Sequence, residues 1–264
     1  MLILALESSA KSASCAVCDD YALLGQYYQN SKLTHSRTLL SMAEALLHNL
    51  DVTLNEIELI AVSQGPGSFT GTRIGVAAAK GLAWGLDIPA CGVSSLQAMA
   101  FQAPETQSIL CPVMDARRGQ VYNALFVWKD GILVRQCEDR AISLDALASE
   151  LLSGSVTVNA PDNFQGIVQG NAQGSVQDNA PGSDPGMFAI SRSCLLLGDG
   201  AALSYEALSS AGLQCRMAPE LLKWQTAYGV ALAAMHGEHV DSVQLAPVYL
   251  RPSQAERVHM ESDT

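Results

Sequence analysis

The sequence is poor in positive charge. Its 264 residues carry 15 Lys and Arg against 26 Asp and Glu, a formal net charge of −11. Such a chain does not coat nucleic acid through its own surface, because phosphate binding rests on clustered Lys and Arg. Contact with RNA through a partner stays open. Long hydrophobic runs are absent as well. No stretch approaches the roughly 18 uncharged apolar residues of a membrane-spanning helix. The start, Met1 to Glu7, lacks the basic segment that opens a signal peptide and reads as a strand, so a cytoplasmic location is expected.

The usual catalytic signatures are missing too. There is no G-x-x-x-x-G-K-[ST] phosphate loop and no H-E-x-x-H metal helix. No G-x-S-x-G elbow presents a serine nucleophile; Gly67-Ser68-Phe69 lacks that pattern. The seven cysteines are scattered and odd in number, which does not suggest a disulfide framework. Cys15 and Cys18 form a C-x-x-C within an apolar run. In a strand, residues i and i+3 point to opposite faces, so the pair suits neither metal nor redox chemistry and reads as structural. His236 and His239 stand three apart near a helix end, where a solvated terminus is the expected reading and a metal pair the alternative.

What is present begins with two apolar runs, 2–7 and 13–18, around a small polar turn. This predicts a hairpin, and 21–28 adds a third strand. Thr34 or Ser36 caps a helix to about Asn49. Its apolar positions Leu39, Leu40, Met42, Ala43, Leu46, Leu47 and Leu50 exceed one stripe, which predicts burial on two sides. Leu59–Ser63 is a short buried strand. It leads through Gln64-Gly-Pro-Gly-Ser-Phe-Thr-Gly-Thr-Arg73 into a helix to about Leu86. A strand, a glycine-rich turn and a helix N-terminus in that order read as an anion-binding loop. The helix carries Gly71, Gly75, Ala78, Ala79, Gly81 and Gly85. Glycine costs a helix up to about 1 kcal/mol, so these predict close backbone approach, to its own sheet or to a partner. The two helices together are the candidate association surface.

A second α/β unit starts near Pro104. It has a strand at Ile109–Met114 and a turn at Asp115-Ala-Arg-Arg-Gly119. A hairpin, Gln120–Trp128 with Ile132–Cys137, closes across Lys129-Asp-Gly131. Ser143 caps a helix to Leu152. Residues 154–191 are rich in Gly, Asn, Gln, Ser and Pro and predict a long flexible insertion, or else a partly strand-forming loop. A strand and turn follow at Cys194–Gly200, then helices at Ala201–Ala211, after Pro219 and at Thr226–His236, and an extended piece at Pro247–Arg251. The expected layout is a first lobe at 1–103, joined by a C-terminal helix near 222–238, a second lobe at 104–221, and a polar tail at 252–264.

The residues that would serve a nucleotide are Glu7, Ser8, Ser9 and Ser12 after the first strand, with Gly65, Gly67, Gly198 and Gly200 in two further turns. Glu7 would orient metal or water. Gly198-Asp-Gly200 reads first as a plain turn, with a further nucleotide loop as the alternative. Arg117 and Arg118 could grip phosphate or a carboxylate, or form a local ion pair.

Four segments resemble the TsaB (YeaZ) family of tRNA threonylcarbamoyladenosine biosynthesis proteins. They are Leu4-Ala-Leu-Glu-Ser-Ser9, Ser63-Gln-Gly-Pro-Gly-Ser-Phe-Thr-Gly-Thr-Arg-Ile-Gly75, Met114-Asp-Ala-Arg-Arg-Gly-Gln-Val-Tyr122 and Pro247-Val-Tyr-Leu-Arg251. They run in order over nearly the whole chain. Glu7-Ser8 departs from the usual Asp-Thr, and 154–191 exceeds the expected length. The resemblance implies an actin-like ATPase (ASKHA) fold, seen in sugar kinases and Hsp70 chaperones. That fold is α/β, with two lobes, each a mixed sheet flanked by helices.

The catalytic relative, TsaD, carries an H-x-x-x-H metal motif. Alignment through Ile88–Val93 puts Ser95 and Met99 at those two positions, and neither suits such a site. The resemblance therefore implies a non-catalytic subunit with no cofactor or metal of its own. It would bind a TsaD-like transferase beside a small TsaE-like ATPase, and meet tRNA only in the complex. Partner contacts are expected at Leu39, Met42, Leu46, Arg73, Ala77, Lys80 and Trp84, and a homodimer through the same face when alone. Any nucleotide grip at Glu7, Ser9, Gly65, Gly67, Gly198 and Gly200 would be vestigial. The competing readings are an independent ATPase or kinase of this fold and a metallopeptidase.

Overall fold

The first apolar run, Leu2–Glu7, forms strand β1, and its side chains alternate between two cores. Leu4 and Leu6 enter one core; Ile3 and Ala5 enter the other. A strand covered on both faces is apolar throughout, as this run is. The computed structural model describes residues 1–20, 22–31, 33–153 and 193–251. The expectations for 154–191 and for the tail at 252–264 lie outside the described residues.

The first sheet has the order β3-β2-β1-β4-β5, with β2 Ala13–Asp19, β3 Ala22–Gln29, β4 Leu59–Gly65 and β5 Ala90–Ser94. β1, β2 and β3 pair antiparallel, while β1, β4 and β5 pair parallel. Helices α1, His35–Asn49, and α2, Phe69–Leu86, cover one face. Helices α3, Ser95–Phe101, and α7, Ala227–Ala234, contribute to the core on the other. α7 is apolar nearly all round, which suits a helix buried on most sides. Ser14 Oγ accepts the Ala227 amide at 2.7 Å and ties this late helix to β2.

The second sheet repeats the scheme. Its main path is β10-β7-β6-β11-β12, formed by Arg140–Ser143, Gln120–Asn123, Ile109–Asp115, Ser193–Leu197 and Gln214–Met217. Again the central strand has antiparallel partners on one side and parallel ones on the other. A hairpin of β8, Phe126–Lys129, and β9, Ile132–Arg135, extends from β6. α4, Leu144–Ser153, and α5, Ala201–Ser210, pack on this sheet, and the short α6, Glu220–Lys223, leads back toward α7. Two sheets of the same order and sense make this the two-lobed α/β architecture of the actin-like fold.

Three local expectations need correction. Thr34 is the cap residue of α1 by position, but its side chain makes no capping bond. α1 buries one stripe, Leu39, Ala43, Leu46 and Leu47, and not two sides; Leu40 is 49% exposed. The run 120–128 is two strands. It breaks after buried Asn123, whose amide donates to the Pro112 and Ala124 carbonyls. Arg140 Nη2 donates to Asn123 Oδ1 at 3.2 Å and bridges Glu150. This polar knot lets the chain leave β10 and join β9.

Candidate functional site

Between the lobes lies a cleft of about 1060 Å³. The turn after β1, the loop before α2, the β6–β7 turn and the segment at Val248–Arg251 all reach it. Ser9, Ser68 and Thr70 line the first-lobe side, and Asp115, Arg117 and Asp199 the second. The glycines expected in nucleotide loops are at points of close chain approach. A Cβ on Gly65, Gly67 or Gly198 would stand 2.4, 2.3 or 2.2 Å from the carbonyl oxygen of Val248, Ser9 or Val113. Several loop amides are also spent. The Ser68 amide donates to Ser9 O at 2.6 Å, Gly198 to Lys223 O at 2.6 Å, and Gly200 to Val113 O at 3.1 Å. These glycines let neighbouring chain segments of the cleft lining come close to one another.

Glu7 does not line the cleft. It is fully buried, accepts the Ser9 amide on Oε1 at 2.5 Å and has no partner on Oε2. Burial pushes its carboxyl above the ordinary range. Asp199 does line the cleft, and burial raises its carboxyl as well. Ser8 faces away and donates to Gly71 O at 2.9 Å. Ser9 Oγ and Ser12 Oγ are buried without a partner. Positive charge gathers at the cleft despite the acidic composition: Lys11, Arg117, Arg118 and Arg251 all border it. Arg117 and Arg118 take left-handed backbone, with φ of 67° and 57°, uncommon outside glycine. Asp115 accepts the Arg117 amide at 2.7 Å and holds that turn.

Ser95 and Met99 are fully buried on α3. Ser95 Oγ lies 2.7 Å from Ser63 Oγ, and Met99 packs between the lobes. His236 stacks on Phe101 at 5.2 Å, while His239 contacts the Ala234 carbonyl, so each ring has its own protein partner. Cys15 and Cys18 fall in different cores, and burial pushes their thiols up to about 12 and about 11.

The residues expected at a partner surface separate into three groups. Leu39 and Leu46 are 1% and 2% exposed and belong to the core under α1, which corrects their place in that set. Apolar spacing alone does not tell the inner face of a helix from the outer one. Arg73 and Lys80 hold the chain's own C-terminal segment. Arg73 lies 3.8 Å over Phe69 and donates to Tyr249 Oη at 2.7 Å, and Tyr249 stacks on Phe69. Lys80 donates to Val243 O at 2.8 Å. Composition gave no sign of this clamp. Trp84, 76% exposed, and Ala77 remain on the open surface, with Met42 half-buried.

Among the described residues no helix is long and apolar enough to cross a membrane, and no three His, Cys, Asp or Glu side chains are grouped to hold a metal ion.

The chain is similar to the tRNA threonylcarbamoyladenosine biosynthesis protein TsaB of Bacillus subtilis, at 38% identity over 54% of this chain and 63% of that protein. It is similar to the protein of the same name from Escherichia coli, at 35% identity over 46% and 53%. It also resembles a tRNA N6-adenosine threonylcarbamoyltransferase of Chlamydia caviae, 30% identical over 54% and 47%. The chain thus spans 63% or less of the length of these curated relatives. Among solved structures, YeaZ from Pseudomonas aeruginosa matches 94% of this chain and 99% of its own, with a TM-score of 0.65 at 23% identity, which shows the shared fold. The family model described as TsaD, tRNA N6-adenosine threonylcarbamoyltransferase, matches residues 25–159, half of the sequence. By that match the chain belongs to the TsaD family, and its curated relatives include proteins named TsaB.

Proposed function

We propose that this chain is a non-catalytic subunit of the machinery that makes threonylcarbamoyladenosine in tRNA. It binds and activates a TsaD-like transferase, which works with a TsaE-like ATPase on the adenosine next to the anticodon in tRNAs reading codons that begin with A. The observation that carries the reading is the C-terminal half of α2. There, among the described residues, Gly81 and Gly85 have nothing within 4 Å of a would-be Cβ, and Trp84 stands 76% exposed between them. A flat small-residue face around one large aromatic suits close approach of another protein. The core contacts of Ser95 and Met99 support the non-catalytic role, because they occupy the two positions where the resemblance places metal histidines. The acidic surface fits a subunit that meets tRNA only in a complex.

The test is reconstitution of tRNA modification with the transferase and the ATPase, with and without this chain. Modification should depend on adding the chain, and the chain alone should give none. Full modification without it would defeat the proposal. The interlobe cleft favours a second reading, an independent nucleotide-binding protein. Calorimetry of the lone chain with ATP and magnesium decides between them: tight binding supports the second reading.

A further inference from the structure

Three thiols that are far apart in the sequence meet on one face of the second sheet. Cys111 lies on β6, Cys194 on β11 and Cys215 on β12, and all three border the same core. Cys194 and Cys215 are direct partners in the parallel register. Adjacent strands run about 4.8 Å apart, within the Cα separation a disulfide spans, about 4.4–6.8 Å. Cys111 sits differently. It pairs with Leu196, two residues along from Cys194. A diagonal of that kind places Cα atoms about 7–8 Å apart, beyond disulfide reach. Asn123 Nδ2 also donates to Cys111 Sγ at 3.3 Å and holds it in place.

We propose that Cys194 and Cys215 are a hydroperoxide-responsive thiol pair that closes to a reversible disulfide and pins edge strand β12 to β11. The two residues differ in access as such chemistry needs. Among the described residues β12 is the sheet edge, and Cys215 is half-buried between exposed Gln214 and Arg216. Cys194 is 2% exposed. Cys215 meets the oxidant and Cys194 resolves it. The Cys215 thiolate attacks the terminal oxygen of a hydroperoxide; the S–O bond forms, the O–O bond breaks, and the alkoxide or hydroxide leaves as alcohol or water with the proton that the Cys215 thiol had released. Cys194 sulfur then attacks Cys215 sulfur. The S–S bond forms, the S–O bond breaks, and hydroxide leaves as water with the Cys194 proton. Two electrons pass from the thiols to the peroxide. The hydrogen bond from the Cys194 thiol draws the Cys215 thiol below its ordinary range. Hydrogen bonds to Cys111 and Cys215, then burial, raise that of Cys194. The thiolate therefore forms on the accessible member.

The test treats the reduced full chain with hydrogen peroxide, quenches in acid, alkylates in denaturant and maps the thiols by mass spectrometry. The expected result is loss of two of the seven thiols, a linked Cys194–Cys215 peptide, and full recovery with dithiothreitol. Cys215→Ser should abolish the link, and Cys111→Ala should leave it. The wild-type map decides even if a variant fails to fold. A Cys111–Cys194 link, sulfinic acid on Cys215 with Cys194 free, or seven unreacted thiols under excess peroxide would each overturn the proposal.

Discussion

The two ends of α2 use the same residue type for opposite purposes. At the N-terminal end, a Cβ on Gly71 would stand 2.1 Å from Ser8 O, and one on Gly75 would stand 2.4 Å from Ser8 Oγ. There glycine lets the helix press on the turn after β1. At the C-terminal end, Gly81 and Gly85 face no other described residue, beside exposed Trp84. There glycine gains no internal contact and costs helix stability. A helix that keeps costly residues on a bare face gives up stability of its own for shape that another molecule can meet. One stretch of small residues thus holds a packing device and a candidate surface, divided by the helix face, since Ala83 between Gly81 and Gly85 is still fully buried against the core.

Substitutions can break that contrast. Gly71→Ala should act on the packed end with the largest effect. The new methyl meets a backbone oxygen that cannot swing aside, so a loss of about 3 kcal/mol is expected, read as a Tm lower by roughly 10 °C. Trp84→Asp should act on the bare end. Binding to the transferase should weaken by about 2 kcal/mol, or roughly 30-fold, with Tm unchanged. Equal losses of Tm in the two variants would erase the distinction. Gly81→Ala should raise stability by about 1 kcal/mol through helix propensity alone. A fall in its place would mean that the bare end is packed.

Glu7 sharpens the account of the packed end by pH. Its folded carboxyl is raised by burial. Between the unfolded value and the raised folded one, the folded chain holds more protons, so stability falls as pH rises through that window. Glu7→Gln keeps an acceptor for the Ser9 amide and carries no charge. Its Tm should exceed the wild type by a few degrees at neutral pH, and the gap should close below the ordinary Glu range. Thermal scans across pH check this; a gap that stays constant would contradict it.

The first lobe was legible because its strands are long apolar runs. Leu2–Glu7 and Leu59–Gly65 announce themselves, and the loop before α2 carries turn and cap together. β10 and β12 were not legible. Each has four residues, at most half-buried, so the alternation is too short and mixed to read. The cleft was half legible. Its glycines were found, but the close approach they allow depends on Val248 and Val113, which no local pattern links to them. Leu39 and Leu46 show the limit of a helical stripe, which marks apolar positions without saying what covers them. The Cys111, Cys194 and Cys215 cluster depends on strand order, and no spacing in the sequence encodes that order.

The central claim is that the C-terminal half of α2 is where another protein docks. Hydrogen exchange on the full chain, alone and with the transferase, tests it most directly. The account predicts that the complex slows exchange over Lys80–Leu86 and leaves the amides of β11 and β12 unchanged. Exchange over Lys80–Leu86 that is the same with and without the transferase, in a complex shown to have formed, would contradict it.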